Sequence, residues 1–265
     1  ILGLMMFFLF LKIDALEVIE NIKNFRLMAY IASFYMIIIP LFFFFCFKII
    51  DKELAVGMLL LTAMPAGISS PALADILKAN TSLSMSLVIT TQLISPFTVP
   101  LLFWLIDLNS VSINKLLLFR DIAMLVFVPM IFSQIVKRFI SSAVSKTRHL
   151  FTSLNVFLLF ALVYVAISMQ RRLILDRPTA LIWEIILLYL VFILLHAAGY
   201  FICPKEKTEN RISVAIGAAY MNNGMAIVLA ASYFRPEVLV LMALSELPWN
   251  TLPALFKRVI RKMKE

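Results

Sequence analysis

The sequence predicts an all-α membrane protein: two inverted five-helix repeats, each with one discontinuous helix, and the two interrupted helices crossing. Three observations predict it. Hydrophobic residues make up 63% of the 265-residue chain and charged residues 15%, more apolar surface than a soluble domain can hide. That surface is divided into runs of bilayer length, separated by short charged loops. Two of the runs are interrupted by polar, helix-stopping residues at matched places half a chain apart.

A bilayer core demands about 20 residues per helix. The apolar runs fall at 1–13, 27–50, 54–78, 82–107, 116–136, 150–170, 179–203, 211–234 and 236–256. No soluble domain separates them, so residues 1–265 form a single polytopic membrane domain. The first half-repeat covers about 1–110, the second about 116–256, and 257–265 is a basic tail. Run 1–13 is too short to span alone and Ile1 is not an initiator methionine, so a further N-terminal helix is expected.

The first interrupted run reads Leu54 to Met64, then Pro65-Ala-Gly-Ile-Ser-Ser-Pro71, then Ala72 to Lys78. The second reads Arg211 to Tyr220, then Met221-Asn-Asn-Gly224, then Met225 to Phe234. Backbone groups freed in lipid find no water, so such breaks persist only where protein or a wet cavity satisfies them. Two broken helices in corresponding halves point to a secondary transporter's binding site. Ser70-Pro71 reads as an N-cap followed by proline at the first helical position, and Asn223-Gly224 as the start of the other second half-helix. Two helix N-termini then aim partial positive charge at the centre, suited to an anion. The first halves end there with free carbonyls, suited to a cation. Ser69, Ser70, Pro71, Asn222, Asn223 and Gly224 are the expected substrate-binding residues. The crossing is expected to bring Ser69, Ser70 and Pro71 against Met221, Asn222 and Asn223.

A shift of 154 residues superposes the halves: 27–50 falls on 181–204, Ser69-Ser70 on Asn223-Gly224, and Gln92 on Glu246. Run 116–136 has no partner, and that partner would precede Ile1 to complete five helices per half. An odd number inverts one half against the other.

The net charge of +9 follows the loops and reads as membrane orientation; the bilayer, not nucleic acid, is the expected partner. Loops carrying Lys12, Lys23, Arg26, Lys78, residues 137–148 and 205–211, with the C-terminal tail, hold twice the Lys and Arg of the alternate loops. The positive-inside rule puts them, and the C-terminus, in the cytoplasm. Cys46 and Cys203 fall at opposite faces, too far apart for a disulfide or a metal pair.

Glu246 lies near mid-depth of the last run. A carboxyl there costs roughly 2.5–3.5 kcal/mol on insertion scales, so it faces protein or water. It reads as a proton carrier or cation ligand, or as a hydrogen-bonded packing residue beside Pro248, with Asn250, Gln92 or Asn222 as partner. His196 reads as a proton relay or as a bond to a neighbouring helix. Glu184 and Asp121 read as snorkelling or capping near helix ends, and Asp75 as a local partner of Lys78. The chain carries no HExxH, no GxSxG and no paired membrane aspartates, so it does not read as an enzyme.

Several motifs come in a specific order: Leu2-Gly-Leu-Met-Met6 with Leu11-Lys12, Ile39-Pro40-Leu41, Pro65 to Ser70, Asn80-Thr-Ser-Leu-Ser84, Ile94 to Pro100, Asn222-Asn-Gly-Met-Ala226 and Trp249-Asn250. In these the chain resembles the bile acid:sodium symporter family, in its bacterial type, over nearly its whole length. The resemblance implies nine or ten helices, a core domain holding the crossed pair, and a panel domain. It implies sodium-driven transport of organic anions. It also marks departures. The acid and glutamine of the family's sodium sites correspond here to Gly217 and Met221, a glutamine of an earlier helix to Tyr35, and the asparagine after the first-break serine to Pro71. Ser70, Ser84 and Asn222 are retained polar positions, and Asn223 replaces a small or serine residue. With Glu246 standing in for the lost acid, the cation-binding or coupling candidates are Ser70, Ser84, Asn222 and Glu246.

The expected function is alternating-access transport of a small organic anion across a bacterial inner membrane, coupled to sodium or protons, with no cofactor beyond a sodium ion. A non-transporting ligand sensor or degenerate scaffold of the same fold is the alternative. The sequence names neither substrate nor oligomeric state.

Overall fold

The computed structural model describes residues 1–13, 25–106 and 114–264; Lys23 and the end of the first half-repeat near 110 lie outside the described residues. Among these residues thirteen helices follow in order: α1 (Leu2–Lys12), α2 (Phe25–Lys48), α3 (Lys52–Thr62), α4 (Ser70–Ile76), α5 (Thr81–Leu105), α6 (Lys115–Thr147), α7 (Leu150–Met169), α8 (Arg171–Asp176), α9 (Pro178–Phe201), α10 (Thr208–Ala219), α11 (Asn223–Tyr233), α12 (Pro236–Leu244) and α13 (Glu246–Lys264). With α12 and α13 taken together, six helices among the described residues are long and apolar enough to cross a membrane. Among the described residues there is no strand, only an isolated bridge between Ala66 and Met221.

Local chemistry sets the helix ends. Asp51, Asn80 and Asn114 cap α3, α5 and α6, accepting from Leu54, Leu83 and Leu117 N–H at 2.7, 3.0 and 3.0 Å, as short polar side chains do at N-caps. A π turn at Phe34–Ile38 precedes Pro40 in α2. Proline there cannot donate to the Met36 carbonyl, and the wider turn absorbs the lost bond.

Three sequence boundaries need correction. Residues 137–147, read as loop, continue α6 beyond a kink at Ile140 (φ −130°, ψ 39°); no proline or glycine stops them. The basic tail is the helical end of α13. Run 236–256 is not one uninterrupted helix: it breaks at Ser245 because Pro248 has no N–H for the Leu244 carbonyl. Glu246 therefore opens a helix instead of lying inside one.

The bundle has two ends. At one, Arg235 meets Glu53 at 3.2 Å, Arg177 meets Glu237 at 3.8 Å, and the Tyr233 hydroxyl donates to Asp121. Asp121, also paired with Arg120 at 2.8 Å, does not cap a helix; it ties α6 to α11. At this end α1 starts, since Gly3 and Asp121 line one cleft. It then runs parallel to α6 toward the other end, where Gln134 Nε2 donates to Phe10 O at 3.1 Å and Lys137 Nζ to Ile13 O at 3.0 Å. The α3–α4 pair runs from the Arg235 end to the Lys12 end, and α10–α11 runs back.

The interrupted helices occupy the centre. Every residue of α3 from Ala55 to Thr62, and of α10 from Ile212 to Ala219, is buried. An apolar surface on all sides is what a fully enclosed helix requires. Phe132, Phe157 and Trp183 on α6, α7 and α9 are exposed, the outward face a bilayer covers. α9 approaches α10 so closely that a Cβ on Gly199 would lie 2.7 Å from Ala215 Cα. Small residues let membrane helices meet backbone to backbone in this way.

Candidate functional site

The two breaks satisfy one another. Asn222 N–H donates to Pro65 O at 2.8 Å, and Gly67 N–H to Tyr220 O at 2.7 Å, around the antiparallel Ala66–Met221 bridge. α5 holds the first break from behind: Ala66 N–H donates to Thr91 Oγ1 at 3.0 Å, and Gln92 Nε2 to Ala66 O at 3.4 Å. Trp249 Nε1 donates to Met221 O at 3.2 Å. Backbone groups freed inside a membrane protein must find such partners.

The crossing lies a few residues ahead of the serines. Pro65, Ala66 and Gly67 make the backbone pairs, because bridging needs extended chain and Ser69 is already helical (φ −86°, ψ −6°). Ser70 does not cap α4. Ser69 holds the cap position without a side-chain bond, while Ser70 Oγ donates to Tyr220 O at 3.2 Å. Asn222 caps α11, its Oδ1 accepting from Met225 N–H at 3.1 Å. Asn222→Ala should cost about 0.5–2 kcal/mol of stability, and Asn222→Ser much less; thermal melts in detergent check this.

Beside the crossing lies a cavity of about 210 Å³. Ser69, Asn222, Asn223, Gly224 and Glu246 line it together with Asn155, Trp249 and Asn250, and it reaches the surface beside Lys12 and exposed Thr152. The N-terminus of α11 opens onto it. Of the residues the sequence singled out, Ser70 and Pro71 are buried behind the wall, and Ser84 is buried on α5 and does not line it.

This arrangement agrees with comparison to known proteins. Residues 2–260 match the model of the SBF-like CPA transporter family. The chain belongs to that family. Membership bears out the resemblance to the bile acid:sodium symporters and places the chain among transporters, not enzymes. Over 193 residues it is 28% identical to the uncharacterized sodium-dependent transporter YocS of Bacillus subtilis (strain 168), covering 71% of this chain and 58% of that protein. The chain thus spans less than two thirds of that relative.

Within this SBF-like chain the departures from the symporter pattern have a structural account. The Tyr35 ring fills the space in front of Gly217: a Cβ there would lie 3.1 Å from Tyr35 Cε2. The Tyr35 hydroxyl is committed to Val214 O, and the Met221 carbonyl to Trp249. Aromatic packing occupies the place where the resemblance implies cation ligands.

Glu246 is 9% exposed, and its Oε2 accepts from Asn250 Nδ2 at 3.0 Å; the Asn223 amide, a partner the sequence did not suggest, also bears on the carboxylate. His196 takes the neighbouring-helix role: Nε2 meets Tyr220 Oη at 2.8 Å, Nδ1 meets Phe192 O at 2.6 Å, and Phe256 packs on the ring. It props Tyr220 from behind and does not line the cavity. Glu184, half-buried, does not cap a helix; it lines a second cleft of about 490 Å³ at the Arg235 end. Asn155 is the residue that sequence reasoning missed. Its one signal is being a lone carboxamide in the apolar run Leu150–Met169, which any interhelical hydrogen bond would also explain.

Proposed function

We propose that this chain is a sodium-driven secondary transporter of a small organic anion, working by alternating access. The observation that carries the reading is the polar cavity at the crossing, open toward the Lys12 end while ion pairs bridge the Arg235 end. Helix α11 aims its N-terminus into that cavity, a ready place for negative charge. Lys12 at the mouth adds a cation. A volume of about 210 Å³ falls below the roughly 300–1,000 Å³ of drug-sized ligand sites, which supports a substrate well below steroid size. Ser69, Asn222, Asn223 and Gly224 would contact it. The basic bias of the Lys12-end loops supports a cytoplasmic location for that end and for the C-terminus. The state described is then inward-facing. The sodium dependence named for the Bacillus subtilis relative supports sodium as the driving ion.

The test is counterflow in proteoliposomes with a panel of small labelled carboxylates, at fixed pH and voltage. Accumulation should follow an imposed sodium gradient. Exchange that ignores the gradient removes sodium from the mechanism. Saturable binding with no movement of any ligand would replace the transporter by a sensor.

A further inference from the structure

The cavity wall holds more hydrogen-bond acceptors than the protein uses. Glu246 Oε1 is buried and makes no hydrogen bond of good geometry, although the Asn223 amide also bears on this carboxylate. Asn223, 3% exposed, sits in the first turn of α11. Its Nδ2 donates to Ser245 Oγ at 3.0 Å, and that hydroxyl spends its own proton on Met242 O at 2.7 Å. The amide is therefore oriented, and its Oδ1 is left buried and unpartnered. Asn155 of α7, 8% exposed, has neither amide atom partnered. All three side chains line the same cavity. Buried acceptors left empty are costly, so native sites supply a partner.

We propose that Glu246 Oε1, Asn223 Oδ1 and Asn155 Oδ1 form the binding site of a single monovalent cation. The proposal rests on the transport reading above and locates its coupling ion. The donor set is one carboxylate and two amide oxygens, hard ligands suited to alkali and alkaline-earth ions. Among the described residues no group of three His, Cys, Asp or Glu gathers to hold a softer metal. Charge decides between the remaining classes. One carboxylate neutralises one positive charge, whereas a divalent ion would leave net charge in a buried wall. The cation of the wall, Lys12, lies at the mouth with its ammonium on Thr152 Oγ1. Thr152 is one helical turn, about 4.5 Å along the axis, from Asn155. The cavity thus offers a cation end at the Glu246 carboxylate and the Asn223 side-chain oxygen, and an anion end between the backbone N–H groups that open α11 and Lys12 at the mouth. The three ligands come from α13, α11 and α7, so a bound ion joins the second interrupted helix to a neighbour outside the crossing.

Melting of the full chain purified in detergent tests this without transport. Sodium chloride is exchanged for choline chloride at constant ionic strength and pH, with lithium, potassium and calcium as further arms. Sodium should raise the melting temperature saturably. Asn155→Ala and Glu246→Gln should each weaken its apparent affinity at least about tenfold, or about 1.4 kcal/mol. Should Glu246→Gln not fold, Asn223→Ser and Asn155→Ser carry the same expectation. Unchanged sodium affinity in these variants overturns the site. So does calcium binding more tightly than sodium, or a melting temperature that follows pH and ignores sodium. Sodium binding without uptake would remove the transport reading and leave the site. Sodium-driven uptake indifferent to these variants would remove the site and leave the reading.

Discussion

Gly67→Ala should abolish transport and disorder the crossing. A Cβ at this position would lie 2.6 Å from Tyr220 O and 2.9 Å from Met221 O. Both are backbone atoms of the opposing break, and neither can swing aside as a flexible side chain can. To relieve the clash the segments must separate. Separation breaks the Gly67–Tyr220 and Asn222–Pro65 bonds, of 2.7 and 2.8 Å. Each buried backbone group so orphaned costs roughly 1–3 kcal/mol. With both bonds lost, the sum exceeds the roughly 1.4 kcal/mol of a tenfold change in an equilibrium. Counterflow should fall to background, and the melting temperature should drop. Gly3→Ala is the control, because a Cβ there meets nothing within 4 Å. A Gly67→Ala protein that transports and melts like the parent would mean that the breaks do not meet as described.

Gly199→Leu should produce the second large effect, chiefly on stability. The glycine lets α9 lie against α10 with a Cβ position 2.7 Å from Ala215 Cα and 2.9 Å from Val214 O. Any side chain pushes the helices apart, and leucine pushes farther than alanine. Overpacking of this kind costs about 1–3 kcal/mol. Here the displaced helix is also the first half of the second interrupted pair, so activity should fall with stability. A graded loss in melting temperature from Gly199 through Ala to Leu is the expected pattern. Equal melting of all three proteins would show that α9 and α10 are not in backbone contact.

Much of this architecture was legible before any coordinates. The runs 27–50, 150–170 and 179–203 became α2, α7 and α9 within two residues at each end. Both interrupted runs proved to break, at 63–69 and 220–222, with Ser70, Pro71, Asn223 and Gly224 already in the second half-helices. These features are local. In a medium without water a helix must be long and apolar, and residues that stop a helix act where they stand. The site was less legible. Asn222, Asn223, Gly224, Ser69 and Glu246 do share one cavity. Ser84 faces elsewhere, Ser70 turns to a carbonyl, and Asn155, with no break or motif near it, completes the wall.

The sequence by itself determined the membrane class, the number of apolar runs and the places where two of them break. Each of these follows from the composition of a short window in an apolar solvent. Only the tertiary structure decided that Ala66 faces Met221, that Tyr35 closes over Gly217, and that Glu246, Asn223 and Asn155 line one cavity. Those outcomes depend on the rotation and crossing angle of helices far apart in the chain. Close contacts at positions such as Gly67 and Gly199 set them, and a glycine in a sequence does not say what will press against it.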